Sequence, residues 1–134
     1  MMAIMTHIMT QIIPKRSTGL RRIYRAFLYS VSGLRIAIRD EAAFRQELLL
    51  AVALSILCLI LPFEDWIRIA LIALHMVVLI TELLNTAVES VVNKVSPEFH
   101  EEAKKAKDTG SAAVMLSLLL ACIIWLYAIF TLIP

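Results

Sequence analysis

The chain has little of what a soluble nucleotide enzyme of its size requires. It carries three glycines and four prolines in 134 residues, and it lacks a GxxxxGK[ST] phosphate loop, a glycine-rich kinase loop and an H-R-D catalytic loop. Any nucleotide chemistry must therefore run without a standard nucleotide-binding fold. The only cysteines, Cys58 and Cys122, lie in apolar runs without metal-ligand spacing and read as inert packing residues. Charged residues make up 18% of the chain and balance to +2. No repeat or low-complexity tract marks a second domain, so residues 1–134 read as one.

Apolar residues are abundant instead. They make up 60% of the chain, with a mean hydropathy of +0.83, against about 45–50% in soluble domains. Three runs stand out: 48–61, uncharged but short; 69–92, apolar but for a polar set near its end; and 110–134, with no charge at all. About 20 residues span a bilayer core, so the second and third runs predict membrane helices. The first reaches that length only by borrowing turns from the segment before it.

Basic residues set the direction of insertion. Eight of the thirteen Lys/Arg precede the first run, four lie between the second and third, and Arg68 stands alone between the first and second. Basic segments stay cytoplasmic, which puts the N-terminal region and the 93–109 connection inside, and residues 62–65 and the C-terminus outside. In residues 1–14 the positive charges follow the weakly apolar stretch, the reverse of a signal peptide. In residues 20–39, Leu20, Ile23, Tyr24, Phe27, Val31, Leu34 and Ile38 recur at helical steps beside a strip of arginines. That pattern predicts an amphipathic helix in the membrane interface. Ser96-Pro97-Glu98 predicts the start of the next helix, with Ser as cap and Pro in the first turn.

Glu82 and Glu89 fall inside the second run. Seven residues is two turns, so they share a face, with Asn85, Thr86 and Asn93 within about 60° of it. An ionised carboxylate at lipid depth costs on the order of 2.5–3.5 kcal/mol and marks a functional site by default. Such a pair can form structural ion pairs, carry protons or cations in transport, or hold a divalent cation with a phosphorylated ligand. Glu89 lies close to the cytoplasmic end, where Lys94, His100, Lys104, Lys105, Lys107 and Asp108 follow. Carboxylates beside lysines suit a Mg²⁺–polyphosphate ligand. A small proton-coupled transporter with Glu82 as carrier is the reading from another class. His75, about 20° off the stripe, reads as a core histidine bonded to a neighbour.

Three blocks, residues 41–47 (EAAFRQE), 82–89 (ELLNTAVE) and 106–114 (AKDTGSAAV), together resemble the prokaryotic diacylglycerol kinase family from about Leu20 to Ile124. That resemblance implies an all-α membrane protein, an N-terminal surface helix plus three transmembrane helices, assembled as a homotrimer in the bacterial inner membrane. It implies ATP- and Mg²⁺-dependent phosphorylation of a lipid hydroxyl, with no nucleic-acid partner. Carried onto matching positions, Glu41 and Glu89 would ligate the metal, Glu82 would be the general base, and Asn85 would support the site. Lys107, Asp108, Arg22, Tyr29, Glu98 and His100 would contact the nucleotide. Arg45, Gln46, Glu47 and Ser111 would meet the lipid. The 41–47 block with its Arg45-Gln46-Glu47 ending, and Gly110-Ser111-Ala112, resemble the branch that uses diacylglycerol more than the one that uses undecaprenol, and a glycerol backbone offers ester groups that an isoprenoid alcohol lacks. Residues 1–14 look like an extension without counterpart. Phe99 stands where the family often has tyrosine, and Asn93 where an acidic residue is common.

The charge distribution gives a direct test of topology. A cysteine placed at Asp65 is expected to react with impermeant reagent from outside intact cells; labelling from the cytoplasmic side alone would overturn the orientation.

Overall fold

Apolar residues at three- and four-residue steps from Leu20 onward do form a helix, the first of four. The computed structural model describes residues 18–133, with α1 Leu20–Asp40, α2 Ala42–Ile60, α3 Asp65–Val95 and α4 Glu101–Phe130. No strand occurs among the described residues, and α2, α3 and α4 are each long and apolar enough to cross a membrane. The expected extension, residues 1–14, lies outside the described residues.

Two units divide the chain between Arg35 and Ile36, within α1. In the first, Gly19 takes a left-handed backbone with φ +63°, and its carbonyl accepts the Arg22 N–H at 3.0 Å. The side chains of Leu20, Ile23, Tyr24, Phe27 and Val31 are all exposed. An exposed apolar face beside arginines is the face an interfacial helix presents to lipid.

In the second unit a single extended residue, Glu41 (φ −104°, ψ 113°), separates α1 from α2. Arg45 Nη1 donates to the Ile38 and Arg39 carbonyls at 3.2 and 2.9 Å, satisfying acceptors that the end of α1 leaves open. A hydrogen-bonded ion pair with Arg39 at 2.7 Å holds the Asp40 carboxyl below its usual range. Ala37, Phe44 and Leu79 pack into one buried cluster that ties this elbow to α3.

The turn from α2 to α3 is held from both sides. Arg68 donates to the Leu61 carbonyl at 3.2 Å and to Asp65 at 2.8 Å, which explains the one basic residue at this turn. Phe63 folds inward, edge-on to Trp125 at 6.1 Å between centroids, in a cluster with Cys58, Ile67, Leu71 and Ala128. Cys58 is thus a packing residue, whereas Cys122 is exposed on α4.

Helix α3 packs against both α2 and α4, and His75 joins all three. Trp125 Nε1–H can only donate, so His75 Nε2 accepts it, at 3.0 Å. The ring proton then sits on Nδ1 and donates to Ser55 Oγ at 2.9 Å. His75 is therefore the bonded core histidine expected from its position.

Two outcomes concern the helix boundaries. The first span begins at Ala42 and so takes in Arg45, Gln46 and Glu47, as its short apolar run required. The start of the last helix is a correction: it begins at Glu101, capped by His100 in extended conformation, and not at Ser96-Pro97-Glu98. Ser96 Oγ donates instead to the Glu98 carbonyl at 3.2 Å, folding its segment into a local turn, while Glu101 and Glu102 supply the negative charge that a helix start favours.

His75→Ala removes two interhelical hydrogen bonds, about 0.6 kcal/mol each in a membrane, and leaves a cavity among three helices. The expected loss is about 2–3 kcal/mol in reversible unfolding from mixed micelles. A loss no larger than that of the exposed Met76→Ala would show that the three-helix junction does not form.

Candidate functional site

Carboxylates seven residues apart share one face of a helix, and Asn85 between them faces α4. Glu82 is buried, at 5% exposure, and Glu89 and Asn85 are half-buried. Asn85 Nδ2 donates to Glu89 Oε1 at 3.4 Å. The other end of that amide, Oδ1, is buried and makes no hydrogen bond. It faces Gly110 of α4, where a Cβ would collide with it.

Glu41 at the elbow and Glu89 both lie close enough for their charges to act on Glu82, and Glu82 acts in turn on Glu47 of α2. Glu47 Oε2 is also buried without a partner. The ion pairs among the described residues are Arg39–Asp40, Arg68–Asp65, Lys104–Asp108 and Lys105–Glu102. None of them involves these four carboxylates. Four carboxylates gathered without a basic partner among the described residues suit a cation, protons or both.

A hard divalent cation fits this donor set. Among the described residues no three His, Cys, Asp or Glu side chains form a complete metal cage. One or two carboxylates completed by phosphate oxygens and water is the arrangement Mg²⁺ prefers. Glu41 and Glu89 are the pair nearest the elbow and the end of α3.

Beyond the apolar part of α3 lies a cavity of about 430 Å³ between the end of α3, the 96–100 turn and the first turns of α4. Glu98, His100, Lys107 and Asp108 all line it, so four of the expected nucleotide contacts come together. Lys104 and Asn93 join them. Lys107 Nζ donates to Asn93 Oδ1 at 3.3 Å, and Lys104 pairs with Asp108. The neutral Asn93 thus tethers α4 to α3 through a lysine. Phe99 also lines the cavity and is 86% exposed.

The remaining expected residues are placed less centrally. Arg45 spends one guanidinium nitrogen on the end of α1, Gln46 is exposed beside it, and Ser111 is exposed one residue beyond Gly110. Arg22 and Tyr29 lie on the exposed surface of the first unit. Sequence reasoning placed Lys104 only within the lysine cluster, and Gly110 only within the 106–114 block that carries the family resemblance. Position within a lysine cluster was a signal for the first; the second needed the third dimension.

Residues 28–129 match the family model for prokaryotic diacylglycerol kinase. The diacylglycerol kinase of Escherichia coli K12 is 42% identical over 109 residues, covering 81% of this chain and 89% of the relative. That of Pseudomonas aeruginosa PAO1 is 44% identical over 111 residues, covering 83% and 90%. The Helicobacter pylori 26695 protein of the same name is 36% identical over 114 residues, covering 84% and 88%.

Proposed function

Because the chain belongs to the prokaryotic diacylglycerol kinase family, we propose that it transfers the γ-phosphoryl group of ATP to the free hydroxyl of diacylglycerol. Phosphatidic acid is the product, formed at the cytoplasmic face of the inner membrane. The observation that carries this reading is the unneutralised Glu82–Asn85–Glu89 face lying on the same helix as the lysine-lined cavity. A transporter needs the carboxylates; it has no use for the cavity beside them.

Glu82 accepts the proton of the lipid hydroxyl. The freed oxygen attacks the γ-phosphorus as the bond to the leaving ADP oxygen breaks. A general base must reach its substrate at the membrane boundary, and Glu82 lies about 10 Å deeper than Glu89 at 1.5 Å per residue. Glu41 and Glu89 would hold Mg²⁺, which would supply positive charge against the transferring group. Asn85 orients Glu89. Lys107 meets the polyphosphate as a point charge, with Asp108, Glu98 and His100 lining the rest of the nucleotide seat and Arg22 and Tyr29 adding contacts from α1. Arg45, through its remaining N–H groups, together with Gln46, Glu47 and Ser111, meets the glycerol and its esters.

We also take residues 1–134 as one catalytic domain working as a homotrimer. Only 11, 33 and 22% of the most apolar windows of α2, α3 and α4 are buried within one chain, which leaves most of their surface for lipid and for neighbouring copies.

Glu89→Gln and Glu41→Gln should each abolish transfer and weaken Mg-ATP binding in a folded protein. Glu82→Gln should lower turnover by roughly 10²-fold, the scale of a positioned base, with nucleotide affinity kept. Unchanged affinity in both metal-site variants, or normal turnover in Glu82→Gln, would refute the roles.

Substrate choice is decided by competition at equal mole fraction. Polar groups suited to esters are left unpaired by a ligand without them, so phosphatidic acid should dominate over undecaprenyl phosphate. The opposite ratio would overturn the lipid assignment and leave the kinase site standing.

A further inference from the structure

Gly110 has no conformational reason to be glycine. It sits inside α4, and the only positive-φ residue among those described is Gly19. In a helix interior glycine is a poor helix former that alanine would ordinarily improve. Close approach must therefore account for it, and all three nearest atoms to an added Cβ belong to Asn85. The Asn85 Cα would stand 3.8 Å away and Cγ 3.5 Å away, both ordinary contacts, while Oδ1 would collide. The two helix backbones would thus tolerate alanine. One amide oxygen would not.

That oxygen has its direction imposed. Asn85 Nδ2 faces Glu89 Oε1, and turning the amide over would set a carbonyl lone pair against a carboxylate. Oδ1 must then point away from Glu89, into the notch at Gly110, where it is buried without a hydrogen-bond donor. The Cα–H that stands in place of the Cβ points at it, a weak donor at best.

We infer that Gly110 is a positioning residue for the nucleotide end of the site: the Cβ it lacks is the space Asn85 occupies in order to hold Glu89. This rests on the kinase reading, in which Glu89 serves Mg-ATP. Gly110 touches neither substrate nor metal and acts through Asn85. Groups that orient metal ligands typically change metal affinity or activity by about 10–100-fold when lost, which sets the size of the effect.

A double-mutant cycle tests it, with Mg-ATP affinity and thermal midpoint read on the purified full-length protein. G110A should weaken Mg-ATP binding by about 10-fold, N85A by a similar factor, and the double variant by no more than N85A alone. The midpoint should fall on G110A with Asn85 present, yet rise or hold when the same substitution is made in N85A. Wild-type affinity in G110A, or equal losses in both backgrounds, would overturn the proposal, as would a midpoint change of the same sign in both. If G110A fails to fold, the double variant must fold, and its failure overturns the proposal equally. Failure of the kinase reading looks different: the wild type itself binds no Mg-ATP, while the midpoint arm still shows whether Asn85 and the added methyl collide.

Discussion

Keeping Glu82 at lipid depth is the constraint on which the rest of the molecule depends. A lone helix with that side chain would expose it to hydrocarbon, so α3 must be covered on the carboxylate side by other protein. Helices α2 and α4 provide the cover, and they do so without a cation of their own: no Lys or Arg among the described residues is ion-paired to Glu41, Glu47, Glu82 or Glu89. Neutralising these carboxylates within the chain would lower the cost of burying them. Stability is supplied elsewhere, by His75 bridging Ser55 and Trp125 and by the Phe63–Trp125 cluster beside the α2–α3 turn. Polar reaction chemistry and apolar anchoring are thereby separated along one helix axis.

Helix length then divides the molecule by depth. Helix α2 has 19 residues, about 28 Å at 1.5 Å per residue, which matches a hydrocarbon core of about 30 Å. Helices α3 and α4 have 31 and 30 residues, about 45 Å each on the same rise. With α2 and the α2–α3 turn fixing one boundary, the surplus of both helices projects beyond the other. It is this surplus that carries Asn93, Lys104, Lys107 and Asp108 and walls the cavity. An open polar cavity and a buried carboxylate can share one continuous helix only because α3 is longer than the membrane is thick.

Much of this was legible in the chain as written. Run lengths predicted the three spans, the Leu20–Ile38 periodicity predicted α1, and the seven-residue spacing put Glu82 and Glu89 on one face. Those are signals of period and composition, which a helix converts directly into geometry. The start of α4 was misread because Ser-Pro-Glu satisfies local rules for a helix start as well as His-Glu-Glu does, and tertiary context chose between them. His75 was read as bonded without its partners, because Ser55 and Trp125 lie 20 and 50 residues away on other helices. Gly110 carried no local sign of its role. A glycine in a helix looks like a packing compromise until the residue opposite it is known.

The elbow at Glu41 shows how little sequence is needed to couple these parts. One residue leaves helical conformation, and Arg45, a turn later, satisfies the carbonyls that the break opens. Ala37 before the break and Phe44 after it close on Leu79, three residues from Glu82 on α3. Moving the elbow would therefore shift Glu41 relative to Glu82 and Glu89 and open an apolar cluster at once. The cost of that opening holds Glu41 against a set of like charges that would otherwise drive it away. Packing of three apolar side chains thus opposes carboxylate repulsion and keeps the group assembled.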